Sequence, residues 1–363
     1  MFLPLARGSA SLNGNLSLHT ITLMETYPPP PRIAPLQGTR PRPRWSVMIP
    51  TYNRATYLER TLASVLSQDP GPEEMQIEVV DDASTVDDPE PVVRRVGGDR
   101  VSFFRQPRNL GLVGSWNGCI ERSVGEWVHV LHSDDVVFPG FYATLRPALE
   151  GRDDIGAAFC RWAIMDEKEG RLWTSDLERL TPGVLADFMD KIGVSQRIST
   201  PSIVVRRSVY ENLGGFRSAL SSTADWEMWA RIAARYPIWY EPEILAAWRV
   251  HADSKTTAVV KSVENVADCL RCLEVIRPLL PADRAESMFR KARELVAIHA
   301  LDEAYWGWRE SEFTIAFKQV WEGLKCSVSL RVIKALLLLP VRIAGGVVRR
   351  AYGAGKRHFA GRS

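Results

Sequence analysis

Two acidic pairs stand out because of what precedes them. Asp81-Asp82 follows the apolar run Ile77-Glu78-Val79-Val80, and Asp134-Asp135 follows Trp127-Val128-His129-Val130-Leu131 by way of His132-Ser133. Carboxylates crowded at one edge repel each other unless a cation or hydrogen-bond donors hold them. A divalent ion, Mg2+ or Mn2+, meets that need with one or two carboxylates and completes its shell with phosphate oxygens and water. It would then offset the charge on a departing nucleotide diphosphate. A single such pair is also what a helix cap or a solvated turn supplies; two at matching strand ends make the chemical reading the stronger one. A third acid, Asp225, opens Asp225-Trp226-Glu227-Met228-Trp229. It suits a helix N-cap. Trp226 and Trp229, three apart, share one side of a helix. They read either as core packing or as an exposed aromatic platform for a ligand.

These residues need elements to position them. Ser46-Val47-Met48-Ile49-Pro50 reads as a buried strand closed by proline, and residues 77–80, 101–104 and 127–131 read as three more. Between them, Leu58, Leu62, Val65 and Leu66 mark one amphipathic helix, with Thr56 and Glu59 as its expected capping box. A glycine-bearing stretch, 111–123, marks another. Strands and helices alternate, which predicts an α/β fold with a mostly parallel sheet covered by helices on both faces. Ligands of such sheets sit beyond the carboxyl ends of the strands, where Thr51-Tyr52-Asn53 and both acidic pairs lie. Residues 157–255 are less regular, with a strand at 203–205 and a helix at 226–234. Residues 256–329 read as a helical extension.

Composition narrows the class. The chain has 363 residues, 25% charged and 45% hydrophobic, which excludes collagen, coiled coil and wholesale disorder. Residues 1–44 carry five Arg, one Glu and eight prolines, and predict a disordered leader. Residues 323–363 carry nine Lys/Arg and no acid, so the segment between is net negative. A basic tail on an acidic body is not the footprint of a nucleic-acid-binding module. Five cysteines form no disulfide framework, and Cys269 and Cys272 read as reduced thiols on one helix face. The opening apolar run is too short for a signal peptide, and no run of 18 apolar residues occurs. A cytoplasmic protein is expected. The tail, 330–363, reads either as a basic amphipathic anchor on the inner face of the cell membrane or as a helix packed on the body.

Taken together, Ile49-Pro50-Thr51-Tyr52-Asn53-Arg54, Val79-Val80-Asp81-Asp82-Ala83-Ser84, Asn109-x-Gly111 and Ser133-Asp134-Asp135 with Pro139 resemble the motifs of inverting family 2 glycosyltransferases of the GT-A type. Arg206-Arg207-Ser208-Val209-Tyr210, Gly214-Gly215-Phe216, Ala224-Asp225-Trp226-Glu227 and Trp248-Arg249-Val250-His251 continue the resemblance in the family's order, over 45–255. The resemblance implies a GT-A, Rossmann-like fold and transfer of a sugar from a nucleotide-diphosphate donor to a saccharide or lipid-linked acceptor, as in polysaccharide and cell-envelope biosynthesis. It implies nucleotide-sugar binding by Pro50, Thr51, Tyr52, Asn53, Asp82, Asn109, Asp134 and Arg249. It implies a Mg2+ or Mn2+ site at Asp135, Asp134 and His251, and Asp225 as catalytic base, with Trp226 and Trp229 toward the acceptor. His132 stands where many members carry an acid. The alternative that this departure raises is a degenerate GT-A module that binds a nucleotide sugar without catalysis.

Overall fold

The computed structural model describes residues 27–38, 41–251 and 255–359, with side chains except at 255–258 and 345–359. Ten strands among the described residues form one sheet. They are β1 (Trp45–Thr51), β2 (Met75–Asp81), β3 (Ser102–Arg105), β4 (Trp127–Val130), β5 (Val136–Val137), β6 (Ala157–Met165), β7 (Arg171–Thr174), β8 (Gly183–Val184), β9 (Ile203–Arg206) and β10 (Ile238–Arg249). The order is β3-β2-β1-β4-β9-β6-β10-β5, with β7 on β6 and β8 on β10. β3, β2, β1 and β4 run parallel. β9 is antiparallel to both β4 and β6, and β6 pairs parallel with β10.

Alternation along β1 shows why both faces are covered. Val47 and Ile49 enter one core with Leu58, Leu62 and Val65 of α1 (Ala55–Leu66) and with Phe141 and Leu145 of α4 (Phe141–Leu149). Met48, between them, enters the other core with Trp116 and Ile120 of α3 (Gly111–Arg122). A strand buried on both faces reads as a near-continuous apolar run, which is the pattern at 46–50. α2 (Glu90–Gly97) precedes β3. α5 (Met189–Ile192), α6 (Arg207–Leu213) and α7 (Ala224–Ala233) follow between β8 and β10, then α8 (Lys255–Ser262), α9 (Glu264–Ile276), α10 (Ala285–Arg309), α11 (Phe313–Cys326) and α12 (Leu330–Phe359).

Two local expectations change. The capping box at Thr56/Glu59 does not form: α1 begins at Ala55, whose N–H donates to Asp87 at 2.8 Å, while Glu59 pairs with Arg95 at 3.0 Å. A carboxylate from the β2 loop thus takes the donor that a local cap would have met. The leader expected over 1–44 is not loose throughout. Ile33 is wholly buried in the core, and the Pro31 carbonyl accepts from Gly215 N–H at 2.8 Å. Residues 1–26, 39 and 40 lie outside the described residues. The tail forms α12 and packs through Val332 and Leu339, while the part of it at 360–363 is not described.

Candidate active site

β2, β1 and β4 end side by side, and their loops build the site. Asp82 N–H donates to the Thr51 carbonyl at 2.9 Å, and Leu131 N–H to Met48 at 3.0 Å, so the acidic loops flank the end of β1. Thr51 is buried, and its Oγ1 makes no hydrogen bond among the described residues. Pro50 is buried in β1, whereas Tyr52 is exposed. Asn53 adopts a left-handed φ of 52°. Its Oδ1 accepts from the N–H groups of Thr85 and Val86 at 2.8 and 2.9 Å, which ties the β1 loop to the β2 loop.

Asp81 and Asp82 diverge in role. Asp81 is buried against Arg105 at 2.6 Å. Asp82 accepts from Leu110 and Gly111 N–H at 2.8 and 3.0 Å and so caps α3. Burial nonetheless raises the pKa of its carboxyl. Gly111 stands at φ 74°, a conformation that glycine adopts at no steric cost, and it also donates to Asn109 Oδ1 at 2.9 Å. That accounts for the Asn109-x-Gly111 spacing.

The loop after β4 holds the densest group. Ligand atoms of His132, Asp134 and Asp135 all lie within 4.8 Å of one another. Asp135 is fully buried. One oxygen accepts Arg249 N–H at 3.0 Å; the other, Oδ2, stands 3.2 Å from His132 Nδ1. Burial, reinforced by the charge of Asp134, pushes the Asp135 carboxyl up to about 6. Burial works the same way on Asp134, but the hydrogen bond from His251 at 3.0 Å and the nearby imidazoles outweigh it and lower its pKa. For His132, burial opposes the imidazolium, yet Asp135, Asp134 and Asp225 outweigh it and raise its pKa. Two carboxylates therefore crowd this imidazole, and the charge of a third, Asp225, also reaches it. The ring stacks on Trp116, with centroids 5.2 Å apart. Thr61 of α1 holds the loop from beneath, its hydroxyl 2.8 Å from the carbonyls of Ser133 and Asp135.

Asp225 sits in the first turn of α7. One oxygen accepts its neighbour's Trp226 N–H at 2.7 Å, and the other accepts from Gln196 at 2.9 Å. Burial raises its carboxyl to about 6. A carboxyl near the operating pH is what general-base work asks for. Its loop is held by a residue that no sequence pattern marked. Asp268 of α9, fully buried, accepts from the N–H groups of Ser221, Ser222 and Thr223 at 3.2, 2.7 and 2.9 Å. Lone acids in amphipathic helices are common, so nothing local distinguishes this one.

Four expected roles are revised. Trp226 and Trp229 are 4% and 1% exposed, and Trp226 Nε1 donates to the Ile192 carbonyl at 2.6 Å. They pack the core and offer no open acceptor platform. The Arg249 guanidinium has no exposed surface and is engaged by the carbonyls of Asp134 and Asp166 at 2.9 and 3.3 Å and by Glu169 at 3.3 Å. It is a strut under the acidic loop instead of a group facing a diphosphate. His251 lies outside the three-residue cluster and orients Asp134. His132 takes its place in the candidate metal set. A fully buried carboxylate, a second carboxylate and an imidazole within 4.8 Å of one another fit a divalent cation.

Residues 46–214 match the family model described as glycosyl transferase family 2. An uncharacterised protein of Mycobacterium tuberculosis is 30% identical over 256 residues, 66% of this chain and 78% of that protein. A beta-1,3-glucosyltransferase of Campylobacter jejuni, named for GalNAc(5)-diNAcBac-PP-undecaprenol, is 33% identical over 133 residues, 36% of this chain and 41% of that protein. A solved mannosyltransferase from Pyrobaculum calidifontis in complex with GDP-Man and Mn2+ aligns over 85% of this chain and 94% of its own, at 18% identity and a TM-score of 0.49. With its parallel half-sheet, its acidic loops at the carboxyl edge and the match of residues 46–214 to the family model, the chain belongs to glycosyl transferase family 2 and is a glycosyltransferase.

Proposed function

We propose that the enzyme transfers a sugar, with inversion, from a nucleotide-diphosphate donor to a hydroxyl of a lipid-linked or free saccharide at a membrane surface. One observation carries this reading: His132, Asp134 and Asp135 gather at the carboxyl edge of the sheet, with Asp225 near enough for its charge to act on the same imidazole. The donor's base and ribose would lie along Pro50-Thr51-Tyr52, where the unbonded Thr51 hydroxyl and the carboxylate of Asp82 face the same strand end. Asn53 and Asn109 shape that edge through the bonds they make to neighbouring backbone. The Campylobacter relative's lipid-linked substrate supports the choice of acceptor class.

His132, Asp134 and Asp135 would hold Mn2+ or Mg2+, and the imidazole in the set favours a transition-metal ion. When bound, the ion neutralises diphosphate charge and steadies the leaving group. The chain's own contribution is positional. Arg249, His251 and Thr61 fix the acidic loop, and Asp268 fixes the turn that presents Asp225. Asp225 takes the proton from the attacking hydroxyl, and Gln196 and Thr200 keep its second oxygen oriented. Nearby carboxylates also favour the positive charge that develops at the anomeric carbon.

The test is nucleoside-diphosphate release and nucleotide binding with Mn2+. Asp225→Asn should bind the nucleotide and not turn over; Asp135→Asn should lose Mn2+-dependent binding. Full turnover in either variant rejects the assignment.

A further inference from the structure

The helical end of the chain carries apolar surface that the transfer site does not use. On α11, Phe313, Phe317 and Trp321 recur every fourth residue along one stripe, and they are 46, 63 and 64% exposed. On α12, Val332 and Leu339 form the buried face, with Ala335 and Leu336 packed beside them. The opposite face repeats Leu330, Ile333, Leu337 and Val341, all exposed. A surface helix ordinarily turns charged residues to that side. α10, α11 and α12 meet through Ala304, Ala316 and Leu339, so both stripes belong to one packed unit.

With residues 323–363 carrying nine Lys/Arg and no acid, the helices that bear the stripes stay net basic, although Arg331 pairs with Glu294 at 3.3 Å and Arg342 with Asp302 at 2.8 Å on α10. Between 313 and 344 stand Lys318, Lys325, Arg331, Lys334 and Arg342 against the single acid Glu322. Glu322 is itself paired with Lys325 at 2.6 Å, and that ammonium lies 5.7 Å from the centre of the Trp321 ring. This sign discriminates between occupants. A second copy docked about a two-fold axis would bring the same basic patch against itself, which electrostatic complementarity disfavours. An anionic bilayer presents phosphates to the cations and an acyl boundary to the rings and leucines, the arrangement of an interfacial helix. No helix among the described residues is long and apolar enough to cross a membrane, so the unit would lie on the surface.

We infer that the α10–α12 unit docks on an anionic lipid bilayer, with the Phe313/Phe317/Trp321 and Leu330/Ile333/Leu337/Val341 stripes entering the headgroup region. This deepens the reading of a lipid-linked acceptor held at a membrane, but it rests on separate residues. The experiment is flotation of the full chain with phosphatidylcholine vesicles, with and without phosphatidylglycerol. Wild type should float with the anionic vesicles, float little with the neutral ones, and be released by salt. The double variant Phe317→Glu/Trp321→Glu and the variant Leu337→Glu should each lose at least about tenfold in partitioning, which is about 1.4 kcal/mol. Their circular dichroism and nucleotide binding should stay unchanged, which separates lost docking from lost folding. Variants that float like wild type, a wild type that never floats, or a dimer that the substitutions split would each overturn the inference. Asp225→Asn should float normally, so a failed transferase assignment would leave this result standing.

Discussion

Replacing Asp225 by Asn should stabilise the protein while removing its activity. The carboxyl is raised from an ordinary 3.8 to about 6, chiefly by burial, so the folded state holds the ionised form at a cost. At 1.36 kcal/mol per pH unit, that cost reaches about 3 kcal/mol at neutral pH. Asp225 keeps some contact with solvent, which screens the penalty, and about 1–2 kcal/mol is the gain expected from neutralising it. The amide keeps the shape. Its oxygen still accepts from Trp226 N–H, and the Gln196 side chain can turn to present its oxygen to the new NH2. The sign follows from the raised value. Below about pH 4 the wild-type group is protonated in both states, so the two proteins should be equally stable. The advantage of the variant should open between about pH 4 and pH 6 and be complete above that. Denaturant unfolding of both proteins across this range reads the difference directly. Turnover of the variant should fall by about 10^2–10^4. A variant less stable than wild type at pH 7.5, or a gap that does not change with pH, would refute the claim that burial strains this carboxylate.

Wild-type turnover should rise with pH through about 6 as Asp225 loses its proton, and a rate that falls over that range would deny it the role of base. Asp135→Asn should abolish Mn2+ binding measured by titration calorimetry, because it removes the most buried oxygen of the cluster. His132→Asp should keep the cation site and shift its preference from Mn2+ toward Mg2+, since an all-oxygen set suits the harder ion; an unchanged ratio of affinities would remove His132 from the ligand set. Asp268→Ala should cost about 3–5 kcal/mol in unfolding experiments, because it strands three backbone N–H groups and Arg271 beneath the Asp225 turn.

The local patterns of the chain determined a good deal. Apolar runs at 46–50, 77–80 and 127–130, each ending in polar residues, could satisfy water and core only as buried strands with their tips at one edge. That placed Thr51, Asp82, Asp134 and Asp135 on one rim without reference to tertiary contacts. Periodicity cannot say which long-range partner a polar atom meets, and there the tertiary structure decided. It assigned Ala55 N–H to Asp87 instead of a local cap, spent Arg249 on carbonyls beneath the acidic loop, and turned Trp226 and Trp229 inward. It also brought Asp268 from a helix 43 residues downstream to hold the Asp225 turn. On α12, sequence read an amphipathic tail, whereas packing showed that one apolar face is already used and a second is left over. Burial and donor satisfaction are properties of the assembled chain, and so the strained carboxylates and the leftover apolar face became visible only once it was folded.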